Sequence, residues 1–161
     1  MQKDGTLIRT KLHLPFTRPG LVPRTRLQKQ VAQGLLCPLT LVTAPAGFGK
    51  TTLVASCVAV CGMRVAWLSL DKDDNQPGRF LHYLVAAMQE ADQTIGNEAT
   101  QLITAAQQLS PDPVLTSLIN NQDTAGREVV LVLDDYQFIR SQAVYEGVVF
   151  LLEHGLSCAP A

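Results

Sequence analysis

The apolar positions of this chain fall into two spacings. Three runs are continuous or nearly so and rich in β-branched residues: Leu39-Thr40-Leu41-Val42-Thr43, Arg64-Val65-Ala66-Trp67-Leu68-Ser69-Leu70 and Val129-Val130-Leu131-Val132-Leu133. Runs of this length and composition read as strands covered on both faces, as in a parallel sheet. Elsewhere the apolar residues return every three or four positions, the stripe of a helix lying on a sheet. Leu27, Val31, Gly34 and Leu35 mark a helix over about 25–36, with Thr25 as its N-cap. A helix from about Lys50 to Cys61 is apolar on most sides and stops at Gly62. Phe80, Leu81, Leu84, Val85 and Met88 stripe a helix from Arg79 to Ala91, and Leu102, Ile103 and Leu109 suggest a looser one within 92–111. Asp112-Pro113 starts a helix carrying Val114, Leu115, Leu118 and Ile119 to about Asn121. Ser141 caps another that buries Val144, Val148, Leu151 and Leu152 and ends at Gly155. The aspartate-rich stretch Asp71 to Gly78 reads as a solvated loop, Asp123 to Arg127 as a turn, and Leu156 to Ala161 as adding no strand. Strands alternating with helices predict an α/β fold in which 39–43, 65–70 and 129–133 run parallel, with helices on both faces.

Length adds that 161 residues make about one domain, able to bury roughly two thirds of its unfolded surface. With 47% hydrophobic and 17% charged residues the chain is neither disordered nor fibrous. Thirteen basic against fourteen acidic residues give no nucleic-acid signature, although residues 1–30 hold seven Lys/Arg and a single Asp. That segment, punctuated by Pro15, Pro19 and Gly20, reads as an extended arm over 1–20, with the remainder, 21–161, as the folded domain. Cys37, Cys57, Cys61 and Cys158 form no CxxC pair and have no His at metal spacing, which predicts reduced, buried thiols in a cytoplasmic protein. No run reaches the length of a membrane span, and the amino terminus lacks the apolar block of a signal peptide.

The chemistry concentrates where the first run meets Ala44-Pro45-Ala46-Gly47-Phe48-Gly49-Lys50-Thr51-Thr52. Strand, small-residue loop and helix in that order suit a polyphosphate, which bare backbone N–H groups can approach and which the helix N-terminus attracts. Lys50 supplies an ammonium for β and γ oxygens, and Thr51 a hydroxyl for Mg²⁺. Ala44 occupies the first glycine position of the full pattern, so the match is one residue short, and a helix-capping turn would also fit the loop alone. A second feature supports the nucleotide reading. Asp134 and Asp135 end the third apolar run, and paired acids at the tip of a buried strand are costly unless a cation accompanies them. The three aspartates of 71–74 lack the closing glutamate of a calcium loop.

Several stretches together resemble one family. Lys11-Leu12, Pro15, Arg18-Pro19, Leu21-Val22-Pro23-Arg24 and Arg26-Leu27 precede the glycine loop, and Trp67-Leu68-Ser69-Leu70-Asp71, Asp73-Asp74-Asn75, Arg79-Phe80, Tyr83-Leu84 and Leu133-Asp134-Asp135-Tyr136 follow it. Over about residues 7–155 this resembles the amino-terminal ATPase region of large LuxR-type transcriptional regulators, in the superfamily of signal-transducing ATPases with numerous domains. The resemblance implies a P-loop NTPase fold, a three-layer α/β/α sandwich with a mostly parallel sheet, truncated here. It implies ATP or ADP and Mg²⁺ as ligands, and a nucleotide switch controlling self-association, reset by slow hydrolysis. By the same resemblance Pro45 to Thr52 cradle the phosphates, Thr51 and Asp134 face the metal, Asp135 orients the attacking water, and Arg24 lies near the base. Strand alternation on an extended backbone would point Asp135 opposite to Asp134, toward the γ-phosphate side. Family members continue into a further strand with a sensor arginine, a winged helix, helical repeats and a DNA-binding helix-turn-helix. The resemblance therefore implies a fragment with little turnover and no DNA or membrane binding of its own. A P-loop kinase and a non-binding interaction module are the competing readings.

Overall fold

In the computed structural model, which describes residues 7–20, 22–105, 110–125 and 128–155, two strands form a parallel sheet. Leu21, Leu109, Cys158, the end of the expected turn at 126–127 and the stretch 156–161 lie outside the described residues. Strand β1 (Arg64–Ser69) pairs with β2 (Val129–Asp134) in the register Arg64↔Val129 through Ser69↔Asp134. Leu70 N–H adds one more bond to the Asp134 carbonyl, at 3.0 Å.

The register sorts side chains onto two faces, because alternate residues of a strand point opposite ways. Ala66, Leu68, Leu131 and Leu133 enter the larger core, shared with α3 (Pro77–Ala91), α4 (Asn97–Ala105), α5 (Pro111–Ala125) and α6 (Gln142–His154). Val65, Trp67, Val130 and Val132 form a second core with Val54, Ala55 and Val58 of α2 (Lys50–Val58). Helix α1 (Thr25–Gly34) packs in turn on α2. Helices thus cover both faces, and the two later runs are parallel strands. No helix among the described residues is long and apolar enough to cross a membrane.

The first run departs from expectation. Residues 39–43 form no strand, no main-chain bond joins them to β1 or β2 among the described residues, and Leu39 and Leu41 are 61% and 77% exposed. Apolar composition makes a strand only where a neighbour offers unpaired N–H and C=O groups at about 4.8 Å. The run lies instead against the end of α1. A Cβ built on Gly34 would come within 2.4 Å of Thr40 Oγ1, so glycine is what lets the segment pass there. Cys37, just before the segment, is exposed rather than buried, whereas Cys57 is buried and Cys61 half-buried.

The stretch read as a solvated loop is the second departure. Lys72–Asn75 is a 3₁₀ turn capped by Asp71, whose carboxylate accepts from Asp73 N–H. Helix α3 follows with Pro77 in its first turn. Asp74 is completely buried. Its carboxylate accepts from Arg79 Nε at 3.2 Å, from the Asp71 N–H at 2.8 Å and from Lys11 Nζ. Lys11 also donates to Asp71 Oδ2 at 2.9 Å and sits 4.4 Å from the centre of the Tyr83 ring, while Tyr83 Oη accepts from Ile8 N–H at 3.0 Å. The arm therefore does not run extended throughout: Arg9–Lys11 is a 3₁₀ turn, with Lys11 and Leu12 buried.

Smaller shifts lie at element ends. Arg24 rather than Thr25 is the N-cap of α1, α2 stops at Val58, and α5 starts at Pro111 and continues to Ala125 across part of the expected turn. The final helix starts after Ser141 and ends at Gly155 as expected, although the Ser141 side chain makes no capping bond.

Removing one partner of a buried ion pair costs about 3–5 kcal/mol because the remaining charge is stranded. Lys11→Met is expected to destabilise the chain by about 3 kcal/mol in denaturant titrations, the low end of that range, since Arg79 still pairs with Asp74. Adding Asp74→Asn should recover part of the loss, a non-additivity that identifies the two as one unit.

Candidate functional site

Two glycines shape the loop before α2. Gly47 has φ +80° and Gly49 φ +76°, a left-handed backbone that residues with a Cβ adopt at a cost. Nothing crowds either position, so conformation and not space requires glycine there. Gly49 is the N-cap of α2, and Pro45, Ala46, Gly47, Phe48 and Thr52 are exposed. An exposed glycine-shaped loop running into a helix N-terminus offers unpaired N–H groups and a positive dipole end to an anion.

Three side chains tie this loop to its surroundings. Lys50, the first residue of α2, folds back so that Nζ donates to the Ala44 carbonyl at 2.7 Å and the Pro45 carbonyl at 3.3 Å. Arg24 Nη1 donates to the Phe48 carbonyl at 2.9 Å. Thr51 Oγ1 stands 2.9 Å from both carboxylate oxygens of Asp134 and donates to them. The last contact joins the first turn of α2 to the tip of β2, across 83 positions of sequence. Arg24, the loop, Lys50, Thr51 and Asp134 are thereby gathered into one connected set.

Asp135 is arranged differently from the expectation of an extended backbone pointing its carboxylate opposite to Asp134. Its φ of 57° and ψ of 32° are left-handed, and it caps the 3₁₀ turn Tyr136–Phe138. Strand alternation stops at Asp134, the last paired residue, so the alternation argument does not reach position 135. The Asp135 carboxylate accepts from Gln137 Nε2 at 2.7 Å. Gln137 carried no signal in the sequence. Asn75 entered the sequence reading only as one residue of the resemblance, with no role attached, and its bonds to the loop after β2 are described below.

Electrostatics single out Asp134. Burial pushes its carboxyl above the ordinary range, and the neighbouring Asp135 charge adds to the push, while the Thr51 hydroxyl and the Lys50 ammonium oppose it. An ionised carboxylate held this way costs the fold something at neutral pH. Among the described residues no group of three or more His, Cys, Asp or Glu side chains is placed to hold a metal. A cation at Thr51 and Asp134 would need most of its ligands from water and from a bound anion, which is how Mg²⁺ commonly binds. The open groove lined by Leu7, Arg9, Leu12, Ala86, Gln89 and Glu90 lies between the arm and α3 and shares no residue with this set.

The raised Asp134 carboxyl makes a test of ligand-free stability. A carboxylate whose folded value lies above its unfolded one disfavours folding while ionised, and the cost disappears as pH falls through the folded value. Asp134→Asn, which keeps an acceptor for Thr51, is expected to melt above the unaltered chain at neutral pH, with the gap narrowing on acidification. Differential scanning calorimetry across that range reads the effect.

No family model matches the chain. The HTH-type transcriptional regulator MalT of Serratia proteamaculans is 37% identical over 148 residues, and that of Cronobacter sakazakii 37% identical over 150. That of Yersinia enterocolitica is 36% identical over 148 residues. Each match covers 92% of this chain and 16% of the relative. The chain thus spans about one sixth of the length of these curated relatives. Over nearly all of its own length, it is a homologue of the HTH-type transcriptional regulators MalT.

Proposed function

We propose that this chain is an ATP-binding switch domain of a transcriptional regulator, in which nucleotide binding controls self-association of the parent protein in the cytoplasm. The observation that supports this best is the bond between Thr51 and Asp134, because it brings the helix behind a glycine loop together with the acid at a strand tip. A nucleoside triphosphate needs both sides: donors for its phosphates and an acidic flank for its counter-cation.

In this reading the N–H groups of Gly47 to Thr52 face the phosphates, and Lys50 exchanges the carbonyls of Ala44 and Pro45 for β and γ oxygens. Thr51 and Asp134 would hold Mg²⁺, which would supply charge neutralisation at the phosphates. Arg24 keeps the loop in shape from its outer side through the Phe48 carbonyl and lies toward the base. Asp135 orients water at the γ-phosphate after leaving Gln137. Hydrolysis by the chain alone is slow in this account, and the chain does not bind DNA. The transcriptional role comes from its relatives' description as regulators.

A second reading, a module that keeps the fold and binds no nucleotide, is favoured by residues 39–43 standing outside the sheet and by Lys50 being satisfied within its own loop. Titration with labelled ATP and Mg²⁺ separates the two. Losing a charge paired with phosphate typically costs about 2–5 kcal/mol, so Lys50→Ala should weaken ATP binding by roughly 30-fold or more. Absence of binding by the unaltered chain would establish the second reading, and phosphate transfer to an added small acceptor would point to a kinase.

A further inference from the structure

Asn75 makes four hydrogen bonds that none of the site residues share. Its Nδ2 donates to the Phe138 carbonyl and to the Lys72 carbonyl, both at 2.9 Å. Its Oδ1 accepts from the Arg140 N–H at 2.6 Å and from the Ser141 N–H at 2.8 Å. Donors and acceptor of one amide are thus fully used, three of the four bonds going to the loop that leaves β2. That loop carries Asp135, and the bonding continues inward, since Phe138 N–H donates to the Asp135 carbonyl at 3.1 Å. The neighbouring residues of the same turn, Asp71 and Asp74, hold Lys11 of the arm, and the arm leads to Arg24 on the glycine loop.

We propose that Asn75 is a positioning residue for the two carboxylates at the tip of β2, and that its turn is the common anchor of that tip and of the arm. The proposal rests on the nucleotide reading above and deepens it. The chemistry requires such a part. Asp134 ends the paired strand, and Asp135 sits in a left-handed conformation that regular sheet bonding does not maintain. Of the six residues from Asp135 to Arg140, Tyr136 and Ile139 pack against the larger core while Gln137, Phe138 and Arg140 are exposed. The Asn75 bonds are therefore the polar tether of this excursion, and outer partners of metal-facing groups commonly decide cation affinity. Asparagine suits the task because its short planar amide offers two donors and an acceptor without adding charge beside the acids.

The test uses the full chain and measures two things. Amide hydrogen exchange at Arg140 and Ser141 reads the tether without any ligand, and ATP titration with and without Mg²⁺ reads the site. For Asn75→Ala, exchange at those two amides should speed up at least tenfold, and the gain in ATP affinity conferred by Mg²⁺ should fall about tenfold. ATP affinity without Mg²⁺ should stay within about twofold, a split that a general loss of stability would not produce. Should the alanine variant fail to fold, Asn75→Ser carries the test, since its shorter hydroxyl cannot bridge both sides, and the same split is expected. Unchanged exchange at Arg140 and Ser141 would overturn the proposal, as would faster exchange with the Mg²⁺ gain intact. Failure of the unaltered chain to bind ATP would be seen before any variant is made, and would overturn the nucleotide reading and the proposal together.

Discussion

The parallel pairing of β1 with β2 is the constraint from which the other arrangements follow. Because Ser69 stands opposite Asp134, both chains leave the sheet at the same end. One exit becomes the Asp71 turn and the other the Asp135 loop, and they are near enough for a single asparagine to bridge them. The same register puts Ala66, Trp67 and Leu68 between two layers of helices, where all three are essentially removed from water. Burying a side chain as large as Trp67 is the dominant favourable term at this point of the fold. A slip of one residue would exchange the two faces and separate Thr51 from Asp134 at once.

Around that pairing the chain spends polar contacts unusually deep. A wholly buried carboxylate is tolerated at position 74 because an ammonium, a guanidinium and a backbone N–H all converge on it. Such a cluster contributes less to net stability than its short contacts suggest, since each charge has been taken out of water. What it supplies is location. A segment near the amino terminus is fixed to a turn some sixty positions later, and the arm becomes part of the domain it was expected to lie across.

Much of this was legible in the sequence, for reasons that differ by residue. The strands 64–69 and 129–134 announced themselves through unbroken apolar runs, whereas the expectation that Thr51 and Asp134 face one place came from the resemblance, and the structure sets the hydroxyl 2.9 Å from the carboxylate. The strand at 39–43 has the same composition as the others, and composition cannot say whether a pairing edge exists. Asp74 was unreadable because an aspartate among aspartates looks solvated, and its partner Lys11 lies 63 positions away. The role of Asn75 was hidden for a related reason. A side-chain amide that bonds only main-chain groups needs no particular partner residue type or spacing that a single sequence could reveal. The left-handed Asp135 defeated an argument from alternation that was valid up to the residue before it.

The way Lys50 is held sets a threshold on what the loop can recognise. Its ammonium already has two carbonyl partners within its own loop, so an arriving anion does not meet a bare charge. It must outcompete those carbonyls, and a small monovalent anion offering one weakly basic oxygen gains little by the exchange. A chain of linked phosphates would gain more, because it would engage the helix N-terminus and the ammonium together and release the loop carbonyls to water only once. Under the proposed nucleotide role, selectivity for long polyanions over inorganic salts would therefore be set by the resting contacts of the lysine as much as by the left-handed glycines that shape the loop.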